Sequence, residues 1–195
     1  MAVHPQLPNA ITVARILCAP VFLWMLLADG GTGGALRWAA AVVFIVAIAT
    51  DGVDGYIARR FNIVSDLGKL LDPIADKALT GVAFVGLSIL GELDWWVTIV
   101  VLVREIGITV YRFMVVSDHV LAAAWMGKLK TVAQAVALSI ALLPLASLSD
   151  AAVWQSTVWW AGVVTMTIAV VLTIASGIDY VVSEVRGARA RRGGR

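Results

Sequence analysis

Asp51-Gly52-Val53-Asp54-Gly55-Tyr56-Ile57-Ala58-Arg59, followed after eight intervening residues by Gly68 and then by Asp72 and Asp76, is the stretch on which the reading of this chain turns. The sequence around it is 61% hydrophobic and only 14% charged, where an ordinary soluble domain carries about 25% charged residues. A carboxylate is out of place in such surroundings. An aspartate at the centre of a membrane-spanning helix costs roughly 2.5 to 3.5 kcal/mol on insertion scales. Four of them within 26 residues require compensation by a cation, a polar substrate or both.

The 195 residues suit one compact domain, here one in a bilayer. A span needs about 20 mostly apolar residues, and six candidates are present, near 10–28, 35–58, 69–90, 95–116, 127–147 and 153–180. The breaks carry turn residues: Gly30-Gly31-Thr32-Gly33-Gly34, Gly91-Glu92-Leu93-Asp94, Ser117-Asp118-His119 and Ser147-Leu148-Ser149-Asp150. A polar segment, 59–68, joins the two halves of the aspartate cluster. Six spans put both termini on one side of the membrane. Arg59, Arg60, Lys69, Lys128, Lys130 and the arginines 186, 189, 191, 192 and 195 fall in links and a tail on that side, so the positive-inside rule makes it cytoplasmic. Arg37 is the exception on the opposite side. Trp38, Trp95, Trp96, Trp154, Trp159 and Trp160 lie near the opposite ends, as interfacial aromatics do. The expected fold is therefore all-α, a polytopic membrane protein of six transmembrane helices with both termini cytoplasmic. Residues 1–185 form the transmembrane domain and 186–195 a basic cytoplasmic tail, which reads as an anchor on anionic lipid rather than a nucleic-acid site.

Cys18 is the single cysteine, which excludes an intrachain disulfide and a cysteine-based metal site. It sits in an apolar run and reads as a small packing residue. Arg15 is the first lysine or arginine of the chain, which argues against a cleaved signal peptide.

The chemistry lies on the second and third spans. Asp51 and Asp54 are three residues apart, and Asp72 and Asp76 four; on a helix each pair shares a face. Converging carboxylates cannot all remain ionised without cations, and hard oxygen donors suit Mg²⁺, Mn²⁺ or Ca²⁺ rather than zinc. Taken singly, each aspartate is equally a helix cap or a partner of Arg59, Arg60 or Lys77. Gly55 and Gly68 admit close approach of a substrate or a facing helix, Ala58 keeps the face small, and the Arg59 guanidinium can grip a phosphate.

These positions reproduce the pattern D-x2-D-G-x2-A-R-x8-G-x3-D-x3-D, and the chain thereby resembles the CDP-alcohol phosphatidyltransferase family. The segments Pro8-Asn9-Ala10-Ile11-Thr12, Leu71-Asp72-Pro73-Ile74-Ala75-Asp76-Lys77, Arg104-Glu105-Ile106 with Arg112, and Gly127-Lys128-Leu129-Lys130-Thr131 are similar to its bacterial phosphatidylglycerophosphate synthase branch; the likeness covers roughly residues 8–145. The resemblance implies two divalent ions, Mg²⁺ or Mn²⁺, held by Asp51, Asp54, Asp72 and Asp76, with Asp76 also the general base. It implies a CDP-diacylglycerol site at Asn9, Thr12, Gly55, Ala58, Arg59, Ser65 and Gly68. It further implies a homodimer in a bacterial-type inner membrane, with the active site on the cytoplasmic side.

Lys77, Arg104, Arg112, Lys128 and Lys130 suit an acceptor that carries its own phosphate, sn-glycerol 3-phosphate in that branch. Lys128 and Lys130 also fit positive-inside anchoring, Arg104 an ion pair with Glu105 or another helix's acid, and Asn9 a helix N-cap. The same chemistry with inositol phosphate, serine or phosphatidylglycerol as acceptor is the nearest alternative. A cation transporter is a more distant one, since intramembrane acids also mark ion paths, although such a path has no use for Gly55, Ala58, Arg59 and Gly68.

Overall fold

The computed structural model describes the backbone over residues 7–61, 66–114 and 124–193, and side chains over 14–50, 77–111 and 125–186. Within these residues the chain forms six α-helices and no strand: α1 (Leu7–Asp29), α2 (Ala35–Phe61), α3 (Asp66–Ile89), α4 (Trp95–Met114), α5 (Ala124–Leu142) and α6 (Ala152–Gly193). A short 3-10 turn, Leu145–Leu148, connects α5 to α6.

The helices start and stop for local reasons. Three glycines between α1 and α2 adopt left-handed backbone, Gly30, Gly31 and Gly33, with φ of 62°, 80° and 73°. The carboxylate of Asp29 closes this turn by accepting the amides of Gly33 (2.9 Å) and Gly34 (3.0 Å). Burial opposes the charged form, but these amides and the Thr32 hydroxyl outweigh it and hold the carboxyl below its ordinary value. After α3, Gly91 (φ 73°) sits past the last turn. Its amide bonds to the Ser88 carbonyl (3.1 Å) and that of Glu92 to the Leu87 carbonyl (3.0 Å), a Schellman ending.

Three boundaries differ from the sequence expectation. The polar link between α2 and α3 is shorter than 59–68, because α2 continues to Phe61 and α3 begins at Asp66. Proline 144 cannot donate an amide, so α5 ends at Leu142 rather than near 147 and the chain turns through Leu145–Leu148. Helix α6 runs past 180 to Gly193, since Gly187 and the alternating arginines and alanines after it bring no proline to stop it.

Helix α1 packs against both α2 and α3, and α5 packs along α6. Phe22 and Leu26 of α1, Phe44 of α2, Phe84 and Leu87 of α3 and Leu138 of α5 are fully buried in one apolar core. The α1–α3 approach depends on Gly86, where a Cβ would come within 2.6 Å of a Leu26 methyl. Two buried hydroxyls pair across α3 and α4: those of Ser88 and Thr98 lie 2.7 Å apart, and Thr98 also donates to the Phe84 carbonyl (3.2 Å).

Arg37 ties one end of the bundle together. Its Nη1 and Nη2 donate to the two Glu92 carboxylate oxygens at 2.9 and 2.5 Å. Its Nε donates to the Leu142 carbonyl (2.8 Å) and Nη2 to the Ala141 carbonyl (2.9 Å). Those carbonyls are otherwise without helical partners, because α5 stops there. The start of α2, the end of α3 and the end of α5 thus meet at one end. Trp154 adds the start of α6 by donating from its indole to the Leu145 carbonyl (2.7 Å). Successive helices therefore alternate in direction. The opposite end receives the last turns of α2 and α4 and the first turns of α3 and α5, where the singled-out residues lie.

Arg37→Met should lower stability by about 1–3 kcal/mol, the range for leaving buried acceptors unsatisfied. Thermal denaturation of the detergent-purified protein checks this; an unchanged midpoint would show that the α5 ending does not depend on this arginine.

Candidate functional site

Asp51 and Asp54 stand in the last turns of α2, and Asp72 and Asp76 in the first turns of α3. Both segments are helical, so each pair is one turn apart along its helix. The side chains of these aspartates lie outside the described residues, as do those of Asn9, Thr12, Gly55, Ala58, Arg59, Gly68 and Arg112; Ser65 lies outside them altogether. The described part of the site begins at Lys77, directly after Asp76.

Glu105 of α4 is its centre. Lys130 of α5 donates to Glu105 Oε1. Arg104 donates to the same oxygen through Nη1 at 3.0 Å. Lys77 of α3 reaches Oε2 at 3.8 Å and hydrogen-bonds the Glu105 backbone carbonyl at 3.1 Å. Lys130 is 4% exposed and Glu105 7%, so these charges have left bulk water. Among the described residues, three cations share this one carboxylate.

Helix α6 supplies the far wall. Arg104 Nη2 donates to the Ser176 hydroxyl (2.9 Å), which in turn donates to the Thr173 carbonyl (3.0 Å). Gln134, one turn after Lys130 on α5, donates to the Thr173 hydroxyl (2.8 Å). Gly177 makes room for the Arg104 stem: a Cβ there would sit 3.3 Å from Arg104 Cγ. One donor is left over. Arg104 Nε is buried and has no acceptor among the described residues. A buried N–H without a partner is uncommon and calls for an explanation.

The structure brings Lys77, Arg104 and Lys130 together. Lys128 is exposed and outside the cluster. The pairing of Arg104 with Glu105, weighed from the sequence as an ion pair, is present and includes Lys77 and Lys130 as well. Ser176, Gly177 and Gln134 were not singled out. Their signal in the sequence is faint: Gln134 follows Lys130 by four residues, and Ser176-Gly177 interrupts an apolar run three residues after Thr173.

Two cavities lie elsewhere. An apolar groove of about 330 Å³ between α1 and α2 is lined by Ala14, Arg15, Cys18, Val42, Val46 and Thr50 among others, and Thr50 immediately precedes Asp51. A larger cavity of about 790 Å³ at the other end of the bundle borders Arg37, Glu92, Trp159 and Met166, where Arg37 is held by Glu92 and by the Ala141 and Leu142 carbonyls.

The family model described as CDP-alcohol phosphatidyltransferase matches residues 5–175. Over 93% of its length the chain is 43% identical to a protein of Mycobacterium tuberculosis named "Probable phosphatidylglycerophosphate synthase", of which it covers 82%. It is 37% identical to the "CDP-diacylglycerol–glycerol-3-phosphate 3-phosphatidyltransferase" of Bacillus subtilis, over 90% of this chain and 93% of that one. To the Escherichia coli protein of the same name it is 33% identical, over 90% of this chain and 92% of that one.

The seat of Arg104 on α6 can be checked with two glycines of that helix. Gly177→Leu presses on the Arg104 stem, whereas a Cβ at Gly162 meets nothing within 4 Å. Overpacking costs about 1–3 kcal/mol, so Gly177→Leu should lower the thermal midpoint and Gly162→Leu should leave it within error. Equal midpoints for the two variants would contradict the close α4–α6 contact.

Proposed function

The chain belongs to the CDP-alcohol phosphatidyltransferase family, and from that premise we propose that it transfers the phosphatidyl group of CDP-diacylglycerol to sn-glycerol 3-phosphate, giving phosphatidylglycerol phosphate and CMP. The observation that carries the choice of acceptor is the cluster of Lys77, Arg104 and Lys130 on Glu105. One buried N–H of that cluster, Arg104 Nε, has no acceptor among the described residues. A phosphate monoester dianion brings opposite charge to the cations and offers oxygens to that donor. A neutral acceptor such as serine does neither. The names of the relatives point to the same acceptor.

Asp51, Asp54, Asp72 and Asp76 are the metal ligands in this reading. The donor set fits the ions: two carboxylate pairs, each one helical turn apart on α2 and α3, offer the hard oxygens that Mg²⁺ or Mn²⁺ takes. When bound, two such ions supply charge neutralisation for the pyrophosphate and the departing oxygen. The chain's own residues do the rest. Asn9, Thr12, Gly55, Ala58, Arg59, Ser65 and Gly68 hold the CDP end of the lipid. Lys77, Arg104 and Lys130, with Arg112 and Lys128 beside them, orient the acceptor. Asp76 takes the proton of the acceptor hydroxyl as its oxygen bonds to the lipid-side phosphorus. The bond from that phosphorus to the CMP oxygen breaks, and CMP leaves.

A bilayer setting follows from the same residues. Helix α6 is long and apolar enough over Ala152–Arg186 to cross a membrane, and only 28% of its most apolar window is buried, where the core helix of a soluble protein would be mostly covered. Shorter apolar helical stretches, Ala35–Thr50 and Lys77–Ile89, end in the charged turns of the site. We read six spans with both termini cytoplasmic, in a bacterial inner membrane. Arg37 no longer counts against that orientation, because Glu92 neutralises it. The apolar groove between α1 and α2 reaches Thr50, immediately before Asp51, and we place the start of the diacyl tails there, so that they stay in lipid while the headgroup reacts. A homodimer remains part of this reading through the family resemblance alone.

The deciding experiment is an acceptor panel with purified protein and CDP-diacylglycerol. Glycerol 3-phosphate should release CMP, and inositol phosphate, serine and phosphatidylglycerol should not; release with another alcohol only would overturn the acceptor. Chelation should abolish the release and Mg²⁺ or Mn²⁺ restore it, and persistence in excess chelator would refute metal dependence. Asp76→Asn should abolish turnover while CDP-diacylglycerol still binds; an active variant would remove Asp76 as the base.

A further inference from the structure

Glu105 has no part in the reaction as described so far, yet three cations from three helices converge on it. It is the only acid among the described residues in contact with Lys77, Arg104 or Lys130. Without it, Arg104 and the buried Lys130 would lose the carboxylate oxygen they share, and Lys77 would lose one of the contacts that draw it to α4. The contacts are divided. Oε1 takes Lys130 and Arg104 Nη1, Oε2 faces Lys77, and the Glu105 backbone carbonyl takes Lys77 again. On its other side Arg104 is held by Ser176. The arginine is thus fixed at both ends of its fork, and only Nε is left without an acceptor.

We propose that Glu105 is a positioning residue for the phosphate of the acceptor: it gathers Lys77, Arg104 and Lys130 into one cradle whose donors face a phosphate monoester dianion. This assignment rests on the glycerol 3-phosphate reading above. Glu105 itself touches no substrate. Its carboxylate would repel the phosphate if it faced it directly, so it acts from behind the cations.

The experiment is steady-state kinetics on the full-length protein in detergent, with the two substrates varied separately, for Glu105→Gln, Glu105→Asp and Lys130→Met, and for the Glu105→Gln/Lys130→Met pair. In Glu105→Gln the KM for glycerol 3-phosphate should rise by about tenfold, the effect of misplacing one charge-assisted hydrogen bond, while the KM for CDP-diacylglycerol stays within about twofold. Glu105→Asp, which keeps the charge, should recover part of the loss. The double variant should be less impaired than the product of the single effects, because both act through one contact. A purely structural role would lower thermal stability and active fraction and leave the acceptor KM unchanged; that outcome overturns the proposal. So do multiplicative effects in the double variant, or equal rises in both KM values. If Glu105→Gln does not fold, Glu105→Asp against Lys130→Met decides by the same split between substrates. A wild-type protein with no saturable dependence on glycerol 3-phosphate overturns the acceptor reading and this assignment with it. A saturable wild type whose acceptor KM is unmoved by the Glu105 variants overturns the assignment alone.

Discussion

Lys130 and Glu105 meet where neither has much access to water, and the arrangement of four helices around them follows from that contact. A buried charge is tolerated only when it is paired and its remaining donors are occupied. Lys130 brings α5, Lys77 brings α3, and Arg104 stands beside Glu105 on α4. Helix α6 must then come close enough for Ser176 to take the Arg104 fork, and Gly177 permits that approach. The local polar character of an otherwise apolar α6 has its reason here.

The two ends of the bundle use the same device with different stoichiometry. At one end Arg37 faces Glu92, one cation to one anion, and each of the three guanidinium nitrogens is engaged by that carboxylate or by the carbonyls of Ala141 and Leu142. Such an arrangement fixes helix ends. At the other end three cations share one carboxylate and a buried arginine N–H is unused. The unused donor leaves the second cluster able to take a further acceptor. Lys77 follows Asp76 on α3, so the cluster and the proposed base belong to the same turn of that helix. In the six-span reading this is also the cytoplasmic end, where a water-soluble acceptor can enter.

Much of this could be read in the sequence. Apolar runs, glycine-rich turns and the eight-position pattern led to an all-helical chain and to its family, and the helices and the relatives agree. Less legible was anything that depends on helical phase between distant segments. Lys128 and Lys130 carry the same charge two residues apart, yet one is exposed and the other is among the most buried polar residues described. Only the docking of α5 against α4 distinguishes them. Arg37 looked like an anomaly of charge placement because its partner, Glu92, is 55 residues away. Proline 144 was available as a stop for α5, but the apolar residues after it masked the break.

The most direct measurement is an experimental structure of the protein with sn-glycerol 3-phosphate and its divalent ion. The account predicts the phosphate seated among Lys77, Arg104 and Lys130, with an oxygen accepting from Arg104 Nε and the glycerol hydroxyls directed toward Asp76. A phosphate bound elsewhere on the protein, with the Glu105 cluster unchanged and Arg104 Nε still unpaired, would contradict it.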